Sequence, residues 1–194
     1  MKQHERRLRT RDAVVQEAVR LFGTIGYEAT TVDMIALTAG VAKGAVYHHF
    51  PGKREIFEAV FETVAGNLAN ALGQAQQPPL PILDALVAAT RAFFAACADP
   101  AVMQIILKDA PAVLGYARWK ELDGKYFAGM VAAGLAAAME QGAIAPQPLE
   151  PLSGMMLAAI QSAALDSASS DDFAEAVEAY LAALESILRG LSPK

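Results

Sequence analysis

"TVDMIALTAGVAKGAVYHHF", residues 31–50, decides how this chain is read. Ala36, Gly40 and Val46 follow one another at intervals of four and six. Two short helices that cross need a small residue at the crossing. They also need a residue tolerant of positive φ in the turn, and a branched apolar residue pinning the second helix. Those three residues meet the needs in that order. Ile35, Ala39 and Val41 complete an apolar underside, so the stretch reads as a helix-turn-helix with helices over about 32–38 and 42–48.

The outer face of the second helix is left with Lys43, Gly44, Ala45, Tyr47 and His48. Side chains this small at 44 and 45 let a helix backbone approach base edges in a major groove, and Ala45 can touch a thymine methyl. Lys43 can reach a guanine edge or a phosphate. Tyr47 and His48 can donate to phosphate oxygens, which sets register without reading sequence. Thr31 caps the preceding helix and offers a hydroxyl to another phosphate. Lys53, at the start of the long helix that follows, is expected to do the same. The basic arm "HERRLRTR", residues 4–11, is expected at the backbone or the adjacent minor groove. His49 points about 100° away from His48 and is expected to turn toward the long helix. Adjacent helical histidines diverge and no Cys or carboxylate converges on them, so no metal site is expected.

The residues "GYEATTVDMIALTAGVAKGAVYHHFPGKREIFEAV", 26–60, resemble the DNA-binding head of the tetracycline-repressor (TetR) family. The pattern is Thr31, Ile35-Ala36, Ala39-Gly40-Val41, Gly44, Tyr47, His49-Phe50, Lys53 and an apolar residue at 56. The resemblance is specific over about 8–60 and beyond that is one of layout. It implies a ligand-responsive regulator, usually a repressor, that works as a homodimer on double-stranded operator DNA. The domains expected are 1–52, a DNA-binding head, and 53–194, a body for ligand binding and dimerisation.

The rest of the chain reads as helix throughout: about 8–22 with Gly23 and Gly26 as its stop, 53–74, 82–97, 101–108, 118–140, 149–167 and 171–189. The Pro-rich residues 76–81 form a bend. The fold class expected is all-α. Phe173, Val177, Tyr180, Leu184, Ile187 and Leu191 recur at intervals of 4 and 3, a seam suited to another helix. With Met156, Ala159, Ile160 and Ala163 on the preceding helix, the residues Val177, Tyr180, Leu184 and Ile187 are candidates for a four-helix dimer interface, as the resemblance implies.

Phe61, Phe94, Met103, Ile106, Leu107, Tyr116, Trp119, Tyr126, Phe127 and Met130 form an aromatic and methionine-rich set, the candidates for an apolar pocket. Tyr116 and Trp119 rank first, as large side chains with a polar end. Gly124, Gly129 and Gly134 sit inside one helix, where each is less favourable than alanine by about 1 kcal/mol. Their spacing spreads them around the helix, so they cannot all serve one site. The three histidines lie at 4, 48 and 49, which leaves none in the body to hold a ligand–metal complex. A small hydrophobic or aromatic ligand fits better, with no cofactor. Lys108, Asp109, Arg118 and Lys120 leave its charge open.

Charge divides the chain in the same way. Residues 1–55 carry nine Lys/Arg and six Asp/Glu, a net +3, while the remainder carries seven and fifteen, a net −8. A basic head that meets polyanion and an acidic body fit that split. The single cysteine, Cys97, follows "AFFAA" and is expected to be a buried thiol. With no apolar leader and no uninterrupted apolar run of about 18 residues, the chain is expected in the cytoplasm without a membrane span. An enzyme is not expected, because there is no nucleophile elbow, carboxylate pair, phosphate loop or metal motif. The alternative is a ligand-binding or protein-interaction module with a degenerate head.

Overall fold

The computed structural model describes residues 2–74 and 80–193, which contain nine helices and no strand. They are α1 (Lys2–Ala29), α2 (Val32–Thr38), α3 (Lys43–His49), α4 (Lys53–Gln74), α5 (Ile82–Cys97), α6 (residues 100–114), α7 (residues 116–140), α8 (Leu149–Ala168) and α9 (Phe173–Gly190). Both α6 and α7 contain a stretch wound as π-helix, Met103–Asp109 and Gly124–Ala128. Of the expected bend at 76–81, residues 76–79 lie outside the described residues. Pro81 has extended backbone and sits at the N-cap of α5.

The turn between α2 and α3 is made by local chemistry. Gly40 has φ +65°, its N–H donates to the carbonyl of Leu37, and the N–H of Val41 donates to that of Ala36. That pair of bonds is a Schellman ending, with glycine in the one position that needs left-handed backbone. Gly142 (φ +69°) ends α7 in the same way, with the N–H groups of Gly142 and Ala143 donating to Met139 and Ala138. At the other end of α2, Thr31 Oγ1 accepts the N–H of Met34 at 3.2 Å.

Of the two glycines expected to stop α1, Gly23 is not where the chain turns. Helical backbone continues through Gly23 and breaks at Gly26, whose φ is +77° and ψ 170°. Gly23 has a packing role instead. A Cβ there would lie 2.5 Å from Ala101 Cβ and 3.0 Å from Ala101 Cα, so its missing side chain lets α1 and α6 cross closely.

By packing, the chain forms two compact units. The first comprises the segment ending at Asn67 together with Asp99–Lys120. In it the α1–α3 head is built around Val14, Ala18, Phe22, Ile35, Val46 and Phe57. Phe22, Tyr27 and Phe57 make three ring contacts with centroids 5.3–5.6 Å apart. Asp109 ties α6 to the end of α1, its Oδ2 accepting the N–H of Tyr27 at 2.8 Å and its Oδ1 accepting Gln104 Nε2 at 2.9 Å. The head is thus packed together with α6 and the start of α4.

The second unit comprises Leu68–Ala98 and the chain from Glu121 onward. Its core includes Leu83, Leu135, Ala138, Ile144, Met156, Leu184 and Leu188, with α5 against α7 and α9 and with α8 against α7 and α9. Between α7 and α8 a carboxylate is buried: Asp123, 5% exposed, accepts Gln161 Nε2 at 2.7 Å.

Candidate functional site

Val46, fully buried, anchors α3 and turns its other side outward. Thr31, Lys43, Gly44, Tyr47 and His48 are all exposed there, and Ala45 is half-buried. Tyr47 keeps 47% of its surface open to solvent. A Cβ at Gly44 would meet no heavy atom within 4 Å. The glycine therefore answers no packing need of the protein, and the space beside it is free for an outside partner.

Two basic residues differ from their expected state. The Nζ of Lys43 is paired with Asp33 of α2, 2.8 Å from Oδ1 and 2.9 Å from Oδ2, and this hydrogen bond raises its pKa. Both side chains stay more than half exposed, so the pair is screened and can open toward a stronger anion. Lys53, expected at a phosphate, turns inward. Its Nζ donates to the carbonyls of Tyr27 (2.8 Å) and Thr30 (3.0 Å) and lies 4.0 Å from the centroid of the Tyr27 ring. The end of α1 leaves carbonyls without helical partners, and the nearest cation fills that need.

The basic arm is not extended. Its described side chains, from Glu5 to Arg11, belong to α1, and Arg11 lies over the Phe50 ring at 5.4 Å. His49 is half-buried and lies within reach of this arm's charges. Burial lowers its pKa, followed by the charges of Arg7, His48 and Arg11. Among the described residues no three His, Cys, Asp or Glu gather where they could hold a metal.

In the second unit lies an apolar cavity of about 320 Å³. Its wall comes from Leu72 of α4, Ile82, Leu86 and Phe93 of α5, Phe127, Met130 and Gly134 of α7, Leu157 and Ile160 of α8, and Leu188 of α9, among others. Of the ten pocket candidates, Phe127 and Met130 are in this wall. Phe94 instead lines a smaller groove with Ala159, Ile160, Tyr180, Ala183 and Ile187. Phe61, Met103, Ile106 and Leu107 are core of the first unit. Tyr116 is 68% exposed, with Trp119 beside it at 6.0 Å between centroids. Tyr126 is half-buried and its ring lies 4.8 Å from Lys125 Nζ. Aromatic content pointed to side chains that fill a core, whereas the cavity is walled mainly by aliphatic ones. The usable signal was the run of small residues, Ala85 and Ala89 on α5 and Gly134 on α7. A Cβ on Gly134 would lie 2.5 Å from Leu86 Cδ2, while one on Gly124 or Gly129 would meet nothing within 4 Å.

The seam on α9 divides between two directions. Val177 and Leu184 are buried with Leu181 and Leu188, whereas Tyr180 (37%) and Ile187 (52%) face outward. On α8, Met156 and Ala163 are buried, Ile160 is half-buried and Ala159 is exposed beside Met155, which is 71% exposed. The spacing of 4 and 3 mixed two faces, and Met155 and Ala183 belong to the outward one. Cys97 is buried, and that burial pushes its thiol up to about 12. No helix among the described residues is long and apolar enough to cross a membrane.

A helix-turn-helix head with an exposed outer face on α3, joined in one chain to a helical body with an apolar cavity, defines the class: a helix-turn-helix regulator of the all-α kind. The chain belongs to the TetR family of bacterial regulatory proteins. Residues 14–60 match the family described as "Bacterial regulatory proteins, tetR family", and residues 83–191 match "Tetracyclin repressor-like, C-terminal domain". It is similar to the uncharacterized HTH-type transcriptional regulator YhgD of Bacillus subtilis, 35% identical over 35% of this chain and 36% of that protein. It is similar also to IcaR of Staphylococcus aureus, a negative transcriptional regulator of a biofilm operon, 32% identical over 39% of this chain and 41% of that one. These matches span well under half of either relative. The crystal structure of a TetR-family regulator from Pectobacterium atrosepticum is similar over 98% of this chain and 97% of its own, with 26% identity and a TM-score of 0.82.

Proposed function

We propose that this TetR-family regulator is a homodimeric repressor released from its operator when a small hydrophobic or aromatic ligand enters the apolar cavity. The observation that carries the DNA-reading part is the face of α3. Gly44 is open to an outside partner, and Tyr47 and His48 stand exposed on a helix pinned by Val46. Thr31, Gly44, Ala45, Tyr47 and His48 are placed at the groove in this reading, with Lys43 leaving Asp33 for a base edge or phosphate. Lys53 acts by holding the end of α1.

Support for repression comes from IcaR, a negative regulator by name. Support for a dimer comes from the exposed apolar strip of Met155, Ala159, Tyr180 and Ile187. Support for ligand control comes from α4, which carries both Leu72 of the cavity wall and Lys53, the residue bonded to the end of α1. A ligand that biases α4 changes how two heads meet half-sites about one helical turn apart. The body's composition gives no reason to read an enzyme, and no cofactor is needed.

The test is selection of DNA from a random-sequence pool at near-physiological salt, followed by salt titration on the enriched site. A two-fold symmetric site whose affinity falls steeply with salt is expected. Tyr47→Ala and Lys43→Ala are each expected to weaken that site without lowering the melting temperature. Absence of any enriched sequence favours the version in which the head no longer reads DNA.

A further inference from the structure

The sequence leaves the charge of the ligand open, and the cavity wall answers it. We infer that the cavity takes an uncharged, largely hydrocarbon molecule of about a dozen non-hydrogen atoms, with Leu86 and Gly134 setting the size it accepts. The inference rests on the reading of this cavity as a ligand site and adds the chemical class.

No ionisable side chain is among the described lining residues. Among the described lining residues Thr90 supplies the one polar side chain, and its hydroxyl hydrogen is already donated to the carbonyl of Leu86 at 3.0 Å. Several charges of the same unit are engaged with one another. Arg91 pairs with Glu178, Arg189 with Asp84 and Glu185, and Asp123 accepts from Gln161. The charges that made the sequence ambiguous, Lys108, Asp109, Arg118 and Lys120, all belong to the other unit. A carboxylate or ammonium set against this wall, rather than held in water at its open side, would lose hydration and find no counter-charge, which disfavours it. A hydrocarbon skeleton gives up no polar hydration on entry and gains contacts with Leu, Ile, Phe and Met side chains.

Size follows from volume. An apolar cavity of about 150 Å³ takes up benzene. At about 320 Å³ this one has room for roughly twice as many atoms at the same packing. The boundary on one side is a single contact. Leu86 fills the place a Cβ on Gly134 would take, at 2.5 Å from its Cδ2. A methyl group at 134 therefore drives the Leu86 side chain aside, and removing the Leu86 side chain opens the wall.

The experiment compares naphthalene with 2-naphthoate, one ring system without and with a carboxylate, by equilibrium dialysis against the full chain free of DNA. One naphthalene per chain is expected, with 2-naphthoate weaker by about tenfold or more. Leu86→Ala is expected to shift preference toward phenanthrene over naphthalene by about tenfold, and Gly134→Ala to weaken naphthalene roughly fivefold. Equal or tighter binding of the naphthoate overturns the assignment, as does failure of both molecules to bind. An unchanged ring-size preference in both variants overturns the place given to Leu86 and Gly134. Operator release is measured separately: naphthalene that binds without releasing DNA upholds the chemical class and removes the release reading.

Discussion

Gly40 and Gly44 stand four residues apart in the reading head and are glycine for different reasons. At Gly40 the backbone demands it, since φ is +65°. At Gly44 neither backbone sign nor neighbouring atoms do. Gly44→Ala is therefore expected to leave stability unchanged or raise it by up to about 1 kcal/mol, because alanine is the better helix former. On the proposed reading of α3 at the groove, the same change is expected to weaken operator binding, because the added methyl would stand between α3 and the bases. Urea unfolding and a DNA titration on one sample separate the two effects. Asp123 makes a second case. Burial pushes its carboxyl up to about 6 from an ordinary 3.8, against the bond from Gln161. Between those values the folded chain holds a proton that the unfolded chain releases, so this group's contribution to stability falls as pH rises from about 4 to 6. The loss, on the order of 3 kcal/mol, is complete above that range. Asp123→Asn keeps an acceptor for Gln161 and removes the ionisation. It is expected to be more stable than the parent at pH 8, with the difference shrinking toward pH 4, as read from urea midpoints.

At the scale of the element, α9 carries two apolar faces with different duties. Leu181 and Leu188 are each 2% exposed and pack into the unit's own core, while Ile187 on the other side is 52% exposed. Leu181→Ala is expected to cost about 2–5 kcal/mol, since a cavity is left where close packing stood. Ile187→Ala is expected to change the stability of the isolated chain by about 0.5 kcal/mol or less. Chemical unfolding at protein concentrations low enough to exclude association checks both. The π-wound stretch of α7 lies between Gly124 and Gly129, where a Cβ would meet nothing, and Gly134 one and a half turns on is the residue in contact. One helix thus holds glycines with unlike roles.

For the whole molecule, the outward face of α8 and α9 leads to a prediction about assembly. Met155, Tyr180 and Ile187 are exposed apolar side chains on adjacent helices, and they suit a second copy meeting the same face. Ile187→Glu is expected to weaken self-association roughly a hundredfold or more, because a carboxylate without a partner would be buried in the joint. Sedimentation over a range of concentrations reads this directly. Operator affinity is expected to fall with it, as two heads bound to one DNA depend on the link between them.

Much of this protein is written locally. The bounds of α2, α4 and α5, the turn at Gly40 and the cap at Thr31 were legible because helical period, capping and positive φ act over a few residues. The helix-turn-helix head, the all-α class and the family follow from the same short-range signals. Tertiary structure alone decided where Lys53 sends its ammonium, since the carbonyls it meets lie more than twenty residues earlier. It decided that Asp123 is buried against Gln161. It also decided that the cavity's described wall is mainly aliphatic and carries no charge, because that wall is assembled from five helices distant along the chain. Periodicity tells which residues share a face of a helix, but which face meets which neighbour is settled only when the helices pack.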